Sequence, residues 1–176
     1  MSDALDGIVA ALNGQSALPP LDRWNPPLSG VIDIVIRRNG EWLHEGTPIR
    51  RDSLVKLFAS ILRREADGEY YLVTPVEKWR IAVEEHPLLI VDVDRLRSDS
   101  GIDQLLVTSN VGRRYLLGAQ YPLALRDEEV PIVQLDHGVE ARFDRPAYYR
   151  LVEEGIEEGG ALVVYSEGSR FVVGTL

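Results

Sequence analysis

Seven consecutive residues, Thr74-Pro75-Val76-Glu77-Lys78-Trp79-Arg80, gather a hydroxyl, a carboxylate, an ammonium, an indole and a guanidinium around one proline. A proline has no N–H to give to a strand ladder, so it interrupts pairing and re-aims the side chains that follow. A cation beside a stacking ring suits a phosphate and a base, or the charged end and the ring of another small molecule. The same residues admit a structural use, with Glu77 paired to Arg80 and Trp79 filling core. A second place to hold an anion is Asn110-Val111-Gly112-Arg113-Arg114, a turn followed by two guanidiniums. In the ligand-binding reading Lys78, Arg80 and Arg113 neutralise charge, Thr74 and Asn110 give hydrogen bonds, and Trp79 stacks. If the chain instead acts on a phosphorylated metabolite, Glu77 is the general base.

No catalytic signature accompanies these groups. There is no GxGxxG, no Gly-rich loop ending in Gly-Lys-Ser or Gly-Lys-Thr, no GxSxG and no HExxH. His44, His86 and His137 each lack a second histidine at metal-ligand spacing, so no metal and no cofactor are expected. The absence of cysteine excludes disulfides, thiolate zinc, iron–sulfur clusters and cysteine nucleophiles together. The acidic pairs Glu84-Glu85, Glu128-Glu129, Glu153-Glu154 and Glu157-Glu158 read as solvated surface.

The chain has 176 residues, and 19 Lys plus Arg against 28 Asp plus Glu give a formal charge of −9. That charge repels phosphate backbones at long range, so generic nucleic-acid binding is not expected. Only Lys56 and Lys78 are lysines, and the other cations are arginines, whose forks suit carboxylate and phosphate. The bland alternative for this excess is codon usage. Hydrophobic residues at 45% and charged ones at 27% exclude wholesale disorder, collagen-like repeats and coiled coil. The apolar run Pro87 to Val91 ends at Asp92, far short of the roughly 20 residues that span a bilayer. Asp3 and Asp6 stand where an export signal carries cations, so a cytoplasmic protein without a membrane partner is expected.

The elements that must position these groups follow from periodicity and turn chemistry. Ser2 or Asp3 caps a short helix over Ala4 to Leu12, ended by Asn13-Gly14, and a proline-rich connector anchored by Trp24 completes residues 1–30. Val31 to Arg37, the Asn39-Gly40 turn and Glu41 to His44 make a hairpin. Leu54, Val55, Leu57, Phe58, Ile61 and Leu62 recur at helical spacing, predicting a helix from Arg51 to Arg64 whose dipole favours the terminal Arg63 and Arg64. Glu69 to Thr74 and Trp79 to Val83 form a second hairpin, closing a subdomain at 31–86. In 87–176 strands are expected at Leu88 to Val93, Gln104 to Ser109 and Tyr115 to Leu117. Ile132 to Leu135, Val139 to Phe143, a helix opened by Asp144 and Pro146, Ala161 to Ser166 and Arg170 to Val173 repeat the earlier order. The fold class expected is α+β, with duplicated strand-strand-helix-strand-strand units and a ligand cleft between the halves.

The stretch from Gly30 to Asp92 resembles a bacterial family, the domain-of-unknown-function family 1285. The residues that carry the likeness are Ile32-Asp33, Asn39-Gly40-Glu41-Trp42, Gly46-Thr47-Pro48-Ile49, Leu54-Val55-Lys56-Leu57-Phe58, Leu62-Arg63-Arg64 and Asp67 through Lys78. Thr108, Asn110-Val111-Gly112, Gly138-Val139-Glu140-Ala141-Arg142, Arg145 and Tyr148-Tyr149 extend it into the second half. The resemblance implies a duplicated α+β core whose C-terminal half looks superficially like a pleckstrin-homology fold. It also implies a signalling or regulatory role around a nucleotide-like or other small anionic ligand, and it supplies no catalytic residue. The alternative is a protein-interaction adaptor using the C-terminal half, whose sheet edges would accept a partner strand. A homodimer is the default assembly, because closed two-fold oligomers are common.

Overall fold

The computed structural model describes residues 3–12, 18–127 and 129–176. The expected Ser2 cap, the Asn13-Gly14 helix stop and Glu128 lie outside them. The chain is α+β and divides into two units. One comprises the residues up to Glu85 together with His137–Val139, and the other comprises His86–Asp136 and Glu140–Leu176.

In the first unit, α1 (Asp3–Leu12) buries Leu5, Ile8 and Leu12, one residue per turn. Strand β1 (Gly30–Ile36) buries Ile32, Ile34 and Ile36 while Val31 and Asp33 stay exposed, the alternation of a half-covered strand. It pairs antiparallel with β2 (Trp42–His44) across the Asn39-Gly40 turn, where Asn39 Oδ1 accepts the Glu41 N–H at 3.0 Å. A second tight turn, with Glu45 at φ 50° and Gly46 at φ 79°, leads into the two-residue β3 (Thr47–Pro48).

Helix α2 (Asp52–Ser60) is shorter than periodicity suggests, and its last expected residues belong to β4 (Leu62–Arg64). The Asp67-Gly68 turn overrides the helical pattern: Glu65 N–H donates to Glu69 O and Glu69 N–H to Asp67 Oδ1. That fixes Leu62, Arg63 and Arg64 opposite Leu72, Tyr71 and Tyr70 of β5 (Tyr70–Val73). Arg63 and Arg64 are therefore strand residues, and the helix dipole does not account for them. Strand β6 (Lys78–Val83) pairs antiparallel with β5 and parallel with β1, so the sheet runs β3-β2-β1-β6-β5-β4. Beneath it lie Trp42 and Phe58, with ring centroids 6.4 Å apart and both essentially without exposure.

The second unit repeats the device. Strands β7 (Leu88–Arg97), β8 (Asp103–Ser109) and β9 (Arg114–Leu116) form one meander. Strands β10 (Leu123–Arg126), β11 (Val130–Gln134) and β12 (Glu140–Phe143) form another. The first strand of one meander lies parallel to the last strand of the other, giving β10-β11-β12-β7-β8-β9. Both units thus join two three-stranded meanders through a central parallel pair, which is the duplication. Helix α3 (Arg145–Glu153) packs on β7 and β12, capped by Asp144 Oδ1, which accepts the Ala147 N–H at 2.9 Å, with Pro146 in its first turn. A small sheet of β13 (Ile156–Glu158), β14 (Ala161–Ser166) and β15 (Ser169–Thr175) ends the chain. Among the described residues no helix is long and apolar enough to cross a membrane.

Candidate functional site

The proline segment forms the β5–β6 turn. Thr74 N–H donates to Glu77 O at 2.9 Å, and the fully buried Thr74 Oγ1 accepts the N–H groups of Val76 and Glu77 at 3.3 and 3.0 Å. That hydroxyl closes the turn. Glu77 Oε2 accepts Trp79 Nε1–H at 3.3 Å, so the carboxylate meets the indole and not Arg80. The Trp79 ring lies over Gly30, where a Cβ would stand 3.2 Å from Cζ3. Glycine at φ +146° leaves that space open.

Side chains alternate along β6, so Lys78 and Arg80 share one face of the sheet. The register places Arg80 opposite Tyr71, and Tyr71 opposite Arg63, on that same face. Lys78 Nζ lies 4.8 Å from the Tyr71 ring centroid and 2.8 Å from Glu65 Oε1. Glu65 Oε2 also takes Arg63 at 2.6 Å, and Arg63 Nη1 donates to the carbonyls of Leu21 and Trp24 at 2.9 and 2.8 Å. Arg63 thereby ties the proline-rich connector to the sheet. Burial pushes the Glu65 carboxyl up, but the hydrogen bonds and charges of Lys78 and Arg63 outweigh it and hold the group below the ordinary carboxylate value. Tyr71 OH donates to Asp67, which pushes the phenol up to about 12 and the carboxyl down. Arg80 differs from its neighbours: its side chain is half-exposed and its Nε is 3.8 Å from Glu69.

Asn110 and Arg113 belong to the second unit. Asn110 Oδ1 accepts the Leu89 N–H at 3.1 Å while Asn110 N–H donates to Leu89 O at 2.8 Å, so the side chain extends the β7–β8 ladder. Arg113 has its guanidinium 5.1 Å from the Tyr115 ring centroid and Nη2 3.5 Å from Asp136 Oδ2. Tyr121 OH donates to the same Asp136 oxygen at 3.0 Å. Burial pushes the Tyr115 phenol up. For Tyr121 burial does so too, reinforced by the Asp136 bond. The two tyrosines meet edge to face, 5.0 Å apart. The nominated residues thus fall in two clusters, one within each unit, each with a cation over a tyrosine and a carboxylate at its side.

The histidines are dispersed. His44 lies 3.8 Å from Glu45, His86 lies 4.0 Å from Glu140, and His137 occupies a left-handed turn at φ 59°. Among the described residues no group of three or more His, Cys, Asp or Glu is placed to hold a metal ion. Glu140 is the least exposed carboxylate among the described residues of the second unit. It forms a fork with Arg126, and the carboxylate's hydrogen bonds hold that guanidinium's pKa above its ordinary value.

Two family profiles match adjoining stretches of the chain: the N-terminal domain of DUF1285, a domain of unknown function, over residues 19–86, and the C-terminal domain of the DUF1285 protein of unknown function over residues 87–173. The chain belongs to the DUF1285 family. A DUF1285 crystal structure from Silicibacter pomeroyi DSS-3 is similar to it at 37% identity and a TM-score of 0.85, covering 100% of this chain and 97% of that one. Another, from Shewanella baltica OS155, is similar at 34% identity and a TM-score of 0.57, covering 70% of this chain and 92% of that one. No curated protein matches. The DUF1285 relationship rests on both halves.

Sequence reasoning did not find Glu65 or Tyr71, the partners that settle where Lys78 points. The signal was present in the Asp67-Gly68 turn, which fixes the β4–β5 register. Nor did it find a pocket in the second unit, where Arg95, Asp103 and Glu154 meet Leu105, Ile156 and Tyr165. Alternating Arg95, Arg97 and Asp103 on one hairpin was the legible sign of it.

Proposed function

We propose that this DUF1285 protein is a non-catalytic regulatory module that binds a small anionic ligand, with nucleotide-based compounds the first class to test. The reading is carried by one contrast on β6. Lys78 is engaged at 2.8 Å with Glu65, whereas Arg80 on the same face holds its guanidinium half-exposed and 3.8 Å from Glu69. Arg80 therefore keeps donors for an anion's oxygens, and Lys78 stands beside it on that face, while Trp79 lies on the opposite face of β6. Arg113, half-buried over Tyr115, offers the second unit's cation on the same terms. Thr74 and Asn110 enter this reading as the turn and ladder residues that fix the two backbones, and Glu77 as the acceptor that orients Trp79.

The experiment is a thermal-shift and calorimetric screen of the whole chain against inorganic phosphate, AMP, ATP and related phosphate esters. A ligand at 100 times its Kd adds about 2.7 kcal/mol to stability. Arg80→Gln or Arg113→Gln is expected to reduce that shift. Unchanged melting with every phosphate-bearing compound overturns the reading.

The adaptor reading is favoured by one observation. Helix α3 turns Tyr148 and Tyr149 outward, with centroids 6.0 Å apart and Tyr149 more than half exposed, a composition typical of binding hot spots. It predicts that Tyr149→Ala abolishes capture of a defined partner while leaving melting unchanged.

A further inference from the structure

The β7–β8 hairpin, the residue after α3 and the small sheet border a pocket of about 110 Å³ in the second unit. Pockets that take cofactors and drug-sized ligands run to roughly 300–1,000 Å³, so this one admits only a small molecule. Its polar wall carries both signs of charge. Arg95 Nη2 stands 3.4 Å from Asp103 Oδ2, Arg95 Nη1 stands 3.6 Å from Glu154 Oε2, and Arg97 Nε stands 3.5 Å from Asp103 Oδ1. All three separations exceed the roughly 2.7–2.9 Å of a charge-assisted hydrogen bond. The Arg95 guanidinium and both carboxylates therefore retain unused hydrogen-bonding capacity. Of the two arginines only Arg95 lines the pocket, facing the carboxylates of Asp103 and Glu154, and Arg97 touches Asp103 from outside it.

The opposite wall is apolar and fixed. Leu105 is buried and its N–H donates to Ser166 Oγ at 2.9 Å, while Ile156 keeps half its surface open. The Tyr165 ring is held at its far end, where its hydroxyl donates to Glu158 at 2.6 and 2.9 Å and Glu158 takes Arg170 at 3.1 Å. That anchoring hydroxyl is committed to Glu158 and the ring presents an apolar surface.

We propose that this pocket binds a small aliphatic α-amino acid as its zwitterion. Arg95 receives the carboxylate, Asp103 and Glu154 receive the ammonium, and Leu105, Ile156 and Tyr165 cover the side chain. The presence of both signs on the wall selects the zwitterion. A simple anion would meet two carboxylates beside the one guanidinium, and a simple cation would meet Arg95, whereas a molecule carrying both charges sets each of its ends against the opposite sign and adds no net charge. The pocket contains none of the residues invoked for the anionic ligand, so the two readings stand or fall separately.

Calorimetry on the full chain with L-alanine and L-valine tests the proposal, with butyrate and n-butylamine as singly charged probes. Saturable binding of an amino acid is expected, with each probe weaker by about tenfold or more, the equivalent of one charge-assisted hydrogen bond. Arg95→Gln and Glu154→Gln should each weaken the amino acid by a similar factor. Arg95→Lys, which keeps the charge and loses the fork, guards against misfolding, and it should weaken binding with an unchanged far-ultraviolet spectrum. The proposal is overturned if neither amino acid saturates below about 10 mM. It is equally overturned if butyrate or butylamine binds as tightly as valine, or if all three variants bind like the parent.

Discussion

Replacing Glu65 by glutamine removes the carboxylate shared by Arg63 and Lys78. The Arg63, Lys78 and Glu65 side chains are 13%, 17% and 25% exposed, which places the cluster nearer to buried pairs than to surface ones. Breaking a buried pair costs about 3–5 kcal/mol and an exposed one about 0–1 kcal/mol. Arg63 keeps the Leu21 and Trp24 carbonyls and Lys78 keeps the Tyr71 face, so an intermediate loss of about 2 kcal/mol is expected. Trp24, Trp42 and Trp79 all lie in the first unit, so tryptophan fluorescence during urea unfolding reports that unit alone. The midpoint should fall by roughly 1 M. The double variant Glu65→Gln/Lys78→Met, which leaves no orphaned ammonium, should recover about 1 kcal/mol relative to additivity. The folded-state pKa of Glu65 is lowered, so its stabilisation is present above the ordinary value of 4.5 and is lost as pH falls through the lowered one. The gap between parent and Glu65→Gln should therefore close on acidification below about pH 4.5. A midpoint within error of the parent at pH 7, or strict additivity of the two changes, would refute the reasoning.

Tyr71 should ionise late: absorbance at alkaline pH is expected to show one phenol near 12 that vanishes in Tyr71→Phe. Because its folded pKa is raised, the associated stability is full below 10 and lost as pH rises toward 12, and a Tyr71 titration at 10 would refute this. Gly155→Ala places a Cβ 2.6 Å from Leu162 Cδ1 and 3.1 Å from Val152 O, between α3 and the small sheet. Overpacking there should cost about 1–3 kcal/mol in calorimetric melting, and a neutral result would mean that Leu162 moves aside freely.

Most strands and the presence of all three helices are legible from local chemistry. The Asn39-Gly40 turn and the β-branched run from Val31 to Ile36 suffice for the β1–β2 hairpin, and the apolar runs on either side of Pro75 for β5–β6. The end of α2 was misread because Ile61 and Leu62 fit a helical stripe as well as a strand, and only pairing with Leu72 decides between them. Strands β3, β10 and β13 were invisible for a related reason: two to four residues carry no period, and long-range partners define them. At the candidate site the residue types were evident but their destinations were not. Thr74 and Asn110 cap backbone, and Lys78 turns toward Glu65, a residue thirteen positions away that only the hairpin register brings near.

The central parallel pair of each sheet bears on how the protein is made. Strand β1 leaves the ribosome long before β6, and β7 before β12, so for much of synthesis each leading strand has one flank with no mate. Sequence-distant pairing of this kind slows folding and exposes a sticky edge meanwhile. Nascent chains halted before Lys78 should consequently aggregate or recruit chaperones, whereas chains carried past Val83 can seal the first sheet while the rest is still being translated.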